Sequence, residues 1–291
     1  MPPRFDLQSH STASDGSLPP ADVVARAAEA GVELLALSDH DTIGGVADAL
    51  AAGERLGLRV VPALEISAVD DGAAAARELH ILGYDVDHSG QPLTDRLVDF
   101  LADREQRTLR MRDALREVGF ELDEAQLQRQ IADGKPIGRP HLAEAVLGAP
   151  ANARRLREEE IDDVGSLIRG YLIEGRPAFR IRQTPTVAEA IGAIHEAGGV
   201  AVWAHPFWDI EADDEVLASI ERFRALGIDG VEAFYITHDE RQTRLLAARC
   251  AELGLLSTGS ADYHGPENRL FSRFLAFETY DLQPNLGSIA S

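Results

Sequence analysis

Two periods alternate along the chain. Short apolar runs that stop at a polar group recur as Phe5-Asp6-Leu7-Gln8-Ser9-His10, Leu34-Leu35-Ala36-Leu37-Ser38-Asp39-His40 and Val60-Val61-Pro62-Ala63-Leu64-Glu65. They recur again as Leu79-His80-Ile81-Leu82-Gly83, Val200-Ala201-Val202-Trp203-Ala204-His205 and Ser257-Thr258-Gly259-Ser260-Ala261-Asp262, with a further strand predicted over 230–234. Nearly unbroken apolar runs bounded by turn residues mark strands covered on both faces. Between them the period becomes helical over residues 18–30, 43–56, 187–197, 214–226 and 239–253, and Gly31, Gly57 and Gly198 stand just past the ends of three of these stretches. Strand–helix alternation of this kind predicts a parallel sheet or barrel of seven βα-like units.

The alternation breaks near Gly90-Gln91-Pro92. From there to about Gly175 the apolar spacing is helical (Leu97, Phe100, Leu101, then Leu109, Met111, Leu115, Val118) and charge is dense, as in Arg154-Arg155-Leu156-Arg157-Glu158-Glu159-Glu160. Residues 1–91 and 185–291 therefore read as two parts of one barrel, and 92–184 as a small helical insertion domain. The charged run reads as a solvated helix face. The turn-rich stretch after Tyr280 reads as loosely held.

A chain of 291 residues can bury a core of barrel size. Its formal net charge of -21 argues against an extended nucleic-acid surface, which needs clustered cations. A small phosphorylated ligand stays compatible, because bound divalent ions reverse the local field. The single cysteine, Cys250, lies in a helical stretch and reads as a packed thiol. With no basic-then-apolar leader and no apolar run near the roughly 18 residues that span a bilayer, the expectation is a cytoplasmic protein without a membrane partner.

The candidate chemistry sits where the apolar runs stop: His10, Asp15, His40, Glu65, His80, His205, Asp262 and His264. Imidazole and carboxylate together suit Zn, Mn or Fe. Eight such groups are too many for one tetrahedral ion and fit two or three. Clustered ions about 3.5–4 Å apart can generate hydroxide and clamp both oxygens of a displacement at phosphorus. His88, His195 and His238 read as structural or solvated.

Asp6-Leu7-Gln8-Ser9-His10-Ser11-Thr12-Ala13-Ser14-Asp15-Gly16, Ser38-Asp39-His40-Asp41-Thr42, Leu64-Glu65-Ile66-Ser67, His80-Ile81-Leu82-Gly83, Ala204-His205-Pro206 and Ser260-Ala261-Asp262-Tyr263-His264 resemble the PHP (polymerase and histidinol phosphatase) family. The resemblance runs from about residue 5 to 270. It is nearest to the stand-alone phosphoesterases that act on nucleoside 3',5'-bisphosphates and 5'-phosphorylated RNA ends. It implies an α/β fold, a distorted (β/α)7 TIM-like barrel with a small helical insertion, and two or three divalent ions, manganese foremost with iron or zinc as alternatives. By position, one ion takes His10, Glu65 and Asp262, a second Glu65, His80 and His205, and a third Asp15, His40 and His264. His40, Glu65, Asp262 and His264 are the residues assigned to catalysis. The family has His where this chain has Gln8, a weaker neutral ligand that puts the first position in doubt. Asp39 and Asp41 are expected to orient metal-bound imidazoles. In Gly138-Arg139-Pro140-His141-Leu142-Ala143, Arg139 and His141 resemble the subgroup's phosphate-recognition segment, with Lys135 nearby as an ordinary loop residue.

These features imply a phosphoesterase that hydrolyses a phosphate monoester of a small nucleotide by attack of a metal-bound hydroxide. The alternatives are a 5'-3' exonuclease on short 5'-phosphorylated RNA and, of another class, a non-catalytic metal- or phosphate-binding protein with a site degenerated at Gln8. Histidinol phosphatase and amidohydrolase chemistry are the less favoured readings.

Overall fold

The computed structural model describes residues 4–73, 76–132, 137–173, 175–183 and 185–290; Lys135 lies outside them. In chain order the elements are β1 (Phe5–Asp6), α1 (Pro20–Glu29), β2 (Leu34–Leu37), α2 (Val46–Leu56), β3 (Arg59–Asp70), β4 (Arg77–Tyr84), α3 (Gln91–Glu117), α4 (Glu124–Ala132), α5 (Arg139–Leu147), α6 (Ala153–Glu158) and α7 (Val164–Leu167). Then come α8 (Val187–Glu196), β5 (Val200–Trp203), α9 (Pro206–Asp209), α10 (Asp213–Ala225), β6 (Gly230–Tyr235), α11 (Glu240–Leu253) and β7 (Leu256–Ser260). Two compact units result: residues 1–98 with 184–291, and residues 99–183.

In the first unit the strands form one seven-stranded sheet in sequence order, β1 to β7. Its two edges meet. Leu7 N–H donates to Gly259 O (3.2 Å), His10 N–H to Tyr263 O (2.8 Å), and Ser9 and Tyr263 form a parallel bridge. The sheet thus curls into a barrel, which removes its open edges.

One departure from the predicted βα repeat sets the shape. β4 is antiparallel to both β3 and β5, whereas all other neighbours are parallel. The cause lies in the chain between Asp70 and Arg77, far shorter than the dozen or so residues a parallel crossover needs. β3 therefore runs on past Glu65 to Asp70 and turns back. Because β4 runs the other way, its early residues, His80 among them, reach the barrel end that the other strands reach with their last residues.

Side-chain parity explains the rest. Along β2, Leu34 and Ala36 join the barrel interior with Leu7, Val61, Ala63, Leu82, Tyr84, Val202 and Ala204. Leu35 and Leu37 face outward beneath Val23, Val24 and Ala27 of α1 and Ala49 and Ala52 of α2. Two residues beyond Ala63 the same inner face carries Glu65, and two before Leu82 it carries His80. The segment after Tyr280 is held: Ile289 is fully buried in the interior cluster, and Ser257 N–H donates to Asn285 O (2.9 Å). The apolar side chain of Ile289 outweighs the turn-forming residues around it.

The second unit has its own core of Met111, Leu115, Phe120, Leu127, Leu142, Val146, Leu167 and Leu172. Arg155 braces it, its guanidinium 4.0 Å above the Phe120 ring and bonded to Val118 O (2.6 Å). Among the described residues, no helix is long and apolar enough to cross a membrane. Cys250 is a free, buried thiol, and burial pushes its pKa up to about 12.

Candidate metal centre

Glu65 is the hub of the barrel mouth. It is fully buried, and its Oε1 lies 2.6 Å from His80 Nδ1 and 3.2 Å from His205 Nε2. Its Oε2 lies 3.1 Å from His10 Nε2 and 3.7 Å from His40 Nδ1. His10 Nε2 is also 3.0 Å from Asp262 Oδ1. Asp15 gathers the outer side, with one oxygen 3.7 Å from His10 Nδ1 and 3.5 Å from His264 Nε2, and the other 3.8 Å from His40 Nε2. All eight groups at which the sequence runs stop thus converge here.

Backbone pairing brings them together. His40 and Glu65 form a parallel bridge, with Glu65 N–H donating to Asp39 O (3.2 Å) and Asp41 N–H to Glu65 O (2.8 Å). The loop bearing Asp15 folds back so tightly that a Cβ on Gly16 would stand 2.2 Å from the His10 carbonyl oxygen, so only glycine fits. Asp41, His205 and Asp262 adopt positive φ (54°, 30° and 54°), a strained backbone of the kind that clusters at functional sites.

Among the described residues, three groups have ligand atoms near enough to share an ion: His10, Asp15, His40 and His264; His40, Glu65 and His80; and His10, Glu65 and Asp262. The first and third contain sets expected from the resemblance. The middle one differs, taking His40 beside Glu65 and His80, while His205 meets the cluster through Glu65. The donor set fits divalent ions on a further ground. Both nitrogens of His10, the Nδ1 atoms of His40, His80 and His205, and Asp262 Oδ1 are buried without a hydrogen bond. His80 Nδ1 is close to Glu65 but not aligned to bond it. Buried polar atoms left in this way are costly, and coordination would satisfy them.

The charge pattern agrees. Burial alone would raise the Glu65 and Asp15 carboxyls, yet the imidazoles around them hold both well below the usual range. Burial would lower His10, but Asp262 and Glu65 raise it well above its ordinary value. For His40 burial wins and lowers it to about 4.

Gln8 is buried at the same place. Its amide N–H donates to Glu65 Oε2 (2.8 Å), and its carbonyl accepts from Ser260 Oγ (3.3 Å). The carboxylate can only accept, which fixes the amide orientation and turns the nitrogen, not the carbonyl, toward the cluster. Asp39 braces the 11–14 loop, accepting from Ser11 N–H, Ser11 Oγ and Ser14 Oγ, all at 2.7 Å. Asp41 accepts from Ser67 N–H (2.9 Å). Asp39 thus grips the loop that carries Asp15.

A supporting layer escaped the sequence reading. Glu232 lies 2.6 Å from Ser260 Oγ and accepts from His205 N–H (2.9 Å), Tyr235 O–H donates to Asp262 Oδ2 (2.8 Å), and Asp6 accepts from Ala261 and Leu275 N–H. The available signal was an acid inside an otherwise apolar strand, as in Gly230-Val231-Glu232-Ala233-Phe234. His238 is buried with Nδ1 3.2 Å from Ala233 O, and His195 pairs with Asp229 (2.8 Å). In the second unit, Arg139 and His141 open α5, where Gly138 N–H donates to His141 Nδ1 (3.0 Å) and leaves Nε2 as the ring's donor.

Residues 6–127 match the PHP domain profile. A 5'-3' exoribonuclease of Haemophilus influenzae is 33% identical over 268 residues, covering 91% of this chain and 92% of the relative. The chain belongs to the PHP family. A phosphoribosyl 1,2-cyclic phosphate 1,2-diphosphodiesterase of Eggerthella lenta is 34% identical, covering 91% and 95% of the two PHP chains. A 3',5'-nucleoside bisphosphate phosphatase of Chromobacterium violaceum is 30% identical, covering 90% and 87%. All three names describe hydrolysis at phosphorus. This PHP protein is likewise a metal-dependent phosphoesterase.

Proposed function

We propose that the protein removes one phosphate from a small nucleotide that carries two, a nucleoside 3',5'-bisphosphate being the representative substrate. The observation that carries this reading is the convergence of five imidazoles and two further carboxylates around Glu65, with buried polar atoms that coordination would satisfy. His10, Asp15, His40, Glu65, His80, Asp262 and His264 would hold two or three divalent ions, manganese foremost, with His205 completing the Glu65 side. Such ions supply positive charge for the phosphoryl oxygens and acidify water at neutral pH.

The chain's own residues set the geometry. Tyr235 fixes the rotamer of Asp262 and leaves Oδ1 pointing into the cluster. Gln8 steadies Glu65 as a hydrogen-bond donor and offers no ligand atom of its own to the His10–Glu65–Asp262 position. His40, Glu65, Asp262 and His264 border the reacting phosphate. Within the 99–183 unit taken by itself, Arg139, a bidentate donor, and His141, through Nε2, suit a phosphate group at the start of α5. The 99–183 unit is then the substrate-recognition domain, and a cytoplasmic location suits a nucleotide substrate.

Phosphate release with Mn supplied tests this on adenosine 3',5'-bisphosphate, 5'-AMP, 3'-AMP, histidinol phosphate, phosphoribosyl 1,2-cyclic phosphate and a short 5'-phosphorylated RNA. Preference for the bisphosphate is expected. Arg139→Ala should raise its KM about 10- to 100-fold, the loss of one charge-assisted pair at roughly 1.5–3 kcal/mol, and leave 3'-AMP nearly unchanged. No release from any member by metal-loaded protein would refute the reading. A second reading, exonuclease action on short RNA, is favoured by the Haemophilus relative; preference for the RNA would select it.

A further inference from the structure

The chain has two tryptophans. Trp203 is fully buried against Phe223, whereas Trp208 on α9 is 53% exposed. Isolated exposed aromatics are common and need no explanation. Trp208 is not isolated. It follows His205 at the mouth of the site, its ring 6.5 Å from that imidazole, 6.5 Å from Tyr235 and 5.7 Å from the half-buried Phe271. Phe271 in turn lies 5.4 Å from His264, and Tyr235 bonds Asp262. An aromatic wall thus rises beside the His205, Asp262 and His264 edge of the cluster.

The ring angles show what the wall leaves open. Trp208 meets His205, Tyr235 and Phe271 at 71°, 81° and 56°, so no ring neighbour among the described residues lies parallel to it. With no ring stacked on it and half of its surface exposed, Trp208 can receive a planar group.

We propose that Trp208, backed by Phe271, is the stacking platform for the base of a nucleotide whose phosphate is hydrolysed at the Glu65 cluster. The inference rests on the nucleotide reading above and deepens it. A base-bearing substrate gains contact at Trp208, and a sugar phosphate without a base gains none.

The test compares the wild-type full chain with Trp208→Ala and Trp208→Phe, Mn supplied, on adenosine 3',5'-bisphosphate and on ribose 3,5-bisphosphate. The ribose compound carries the same phosphates and no base. Trp208→Ala should raise KM for the nucleotide about 10- to 100-fold, the span that stacking one base on an aromatic ring provides. It should change kcat little and leave KM for the ribose compound in place. Trp208→Phe should recover most of the loss. Independently of turnover, adenosine 5'-phosphate should quench tryptophan emission in the wild type, and the quench should vanish in Trp208→Phe, where Trp203 alone emits. An unchanged nucleotide KM, or an equal loss on both substrates, would overturn the platform while leaving a nucleotide phosphatase intact. If the wild type hydrolyses neither compound, the nucleotide reading fails by itself. The quench then decides the platform, its presence supporting it and its absence overturning it.

Discussion

Glu232 offers a sharp test of the layer beneath the metal centre. It is fully buried, and burial pushes its carboxyl from 4.5 up to about 8, partly offset by His205 and the Ser260 hydroxyl. The neutral acid is therefore the form the fold prefers. Below the unfolded-state value both folded and unfolded chains hold the proton, and nothing is lost. As pH climbs from 4.5 to about 8 the unfolded chain releases its proton while the folded chain keeps it, so stability falls across that window and levels off above it. At about 1.4 kcal/mol per pH unit, the whole penalty is on the order of 5 kcal/mol. Glu232→Gln copies the protonated acid, keeping a carbonyl for His205 N–H and presenting an amide N–H to Ser260 Oγ, which can accept it. Thermal melts of chelator-treated wild type and variant at pH 5, 6.5 and 8.5 should show the variant gaining steadily with pH, by roughly 2–4 °C per kcal/mol. A difference that stays flat between pH 5 and 8.5, or a variant that loses ground at 8.5, would refute a buried neutral Glu232.

Two further outcomes follow from the same geometry. Gln8→His places a ring nitrogen where an amide N–H now meets Glu65, and should tighten metal binding at the His10–Glu65–Asp262 position at least ~10-fold, whereas Gln8→Leu should not; metal retained after gel filtration, read by atomic emission, decides between them, and equal retention in all three proteins refutes the donor role. Asp39→Ala removes the acceptor for Ser11 N–H and two hydroxyls, freeing the loop that carries Asp15, so metal affinity should drop about 10- to 100-fold by calorimetric titration, and an affinity equal to the wild type would show that the loop holds without it.

What the sequence disclosed and what it hid separate along one physical line. The ligand-bearing ends of the strands were legible because a covered strand and its terminal polar group are contiguous in the chain, as in Leu34 to His40 and Val200 to His205. The reversal of β4 stayed hidden, because the apolar runs stop at Glu65 and resume at Leu79, about a dozen residues that a crossover could fill, and the apolar pattern of a strand carries no direction. Glu232, Ser260 and Gln8 are different. Gln8 sits 252 residues from Ser260, and its meaning changes from weak ligand to donor only once Ser260 occupies its carbonyl and Glu65 its amide. Local patterning therefore places the groups that coordinate, while long-range pairing settles which atom of each group faces inward. That is why the chemistry of the centre could be read residue by residue and its one anomalous position could not.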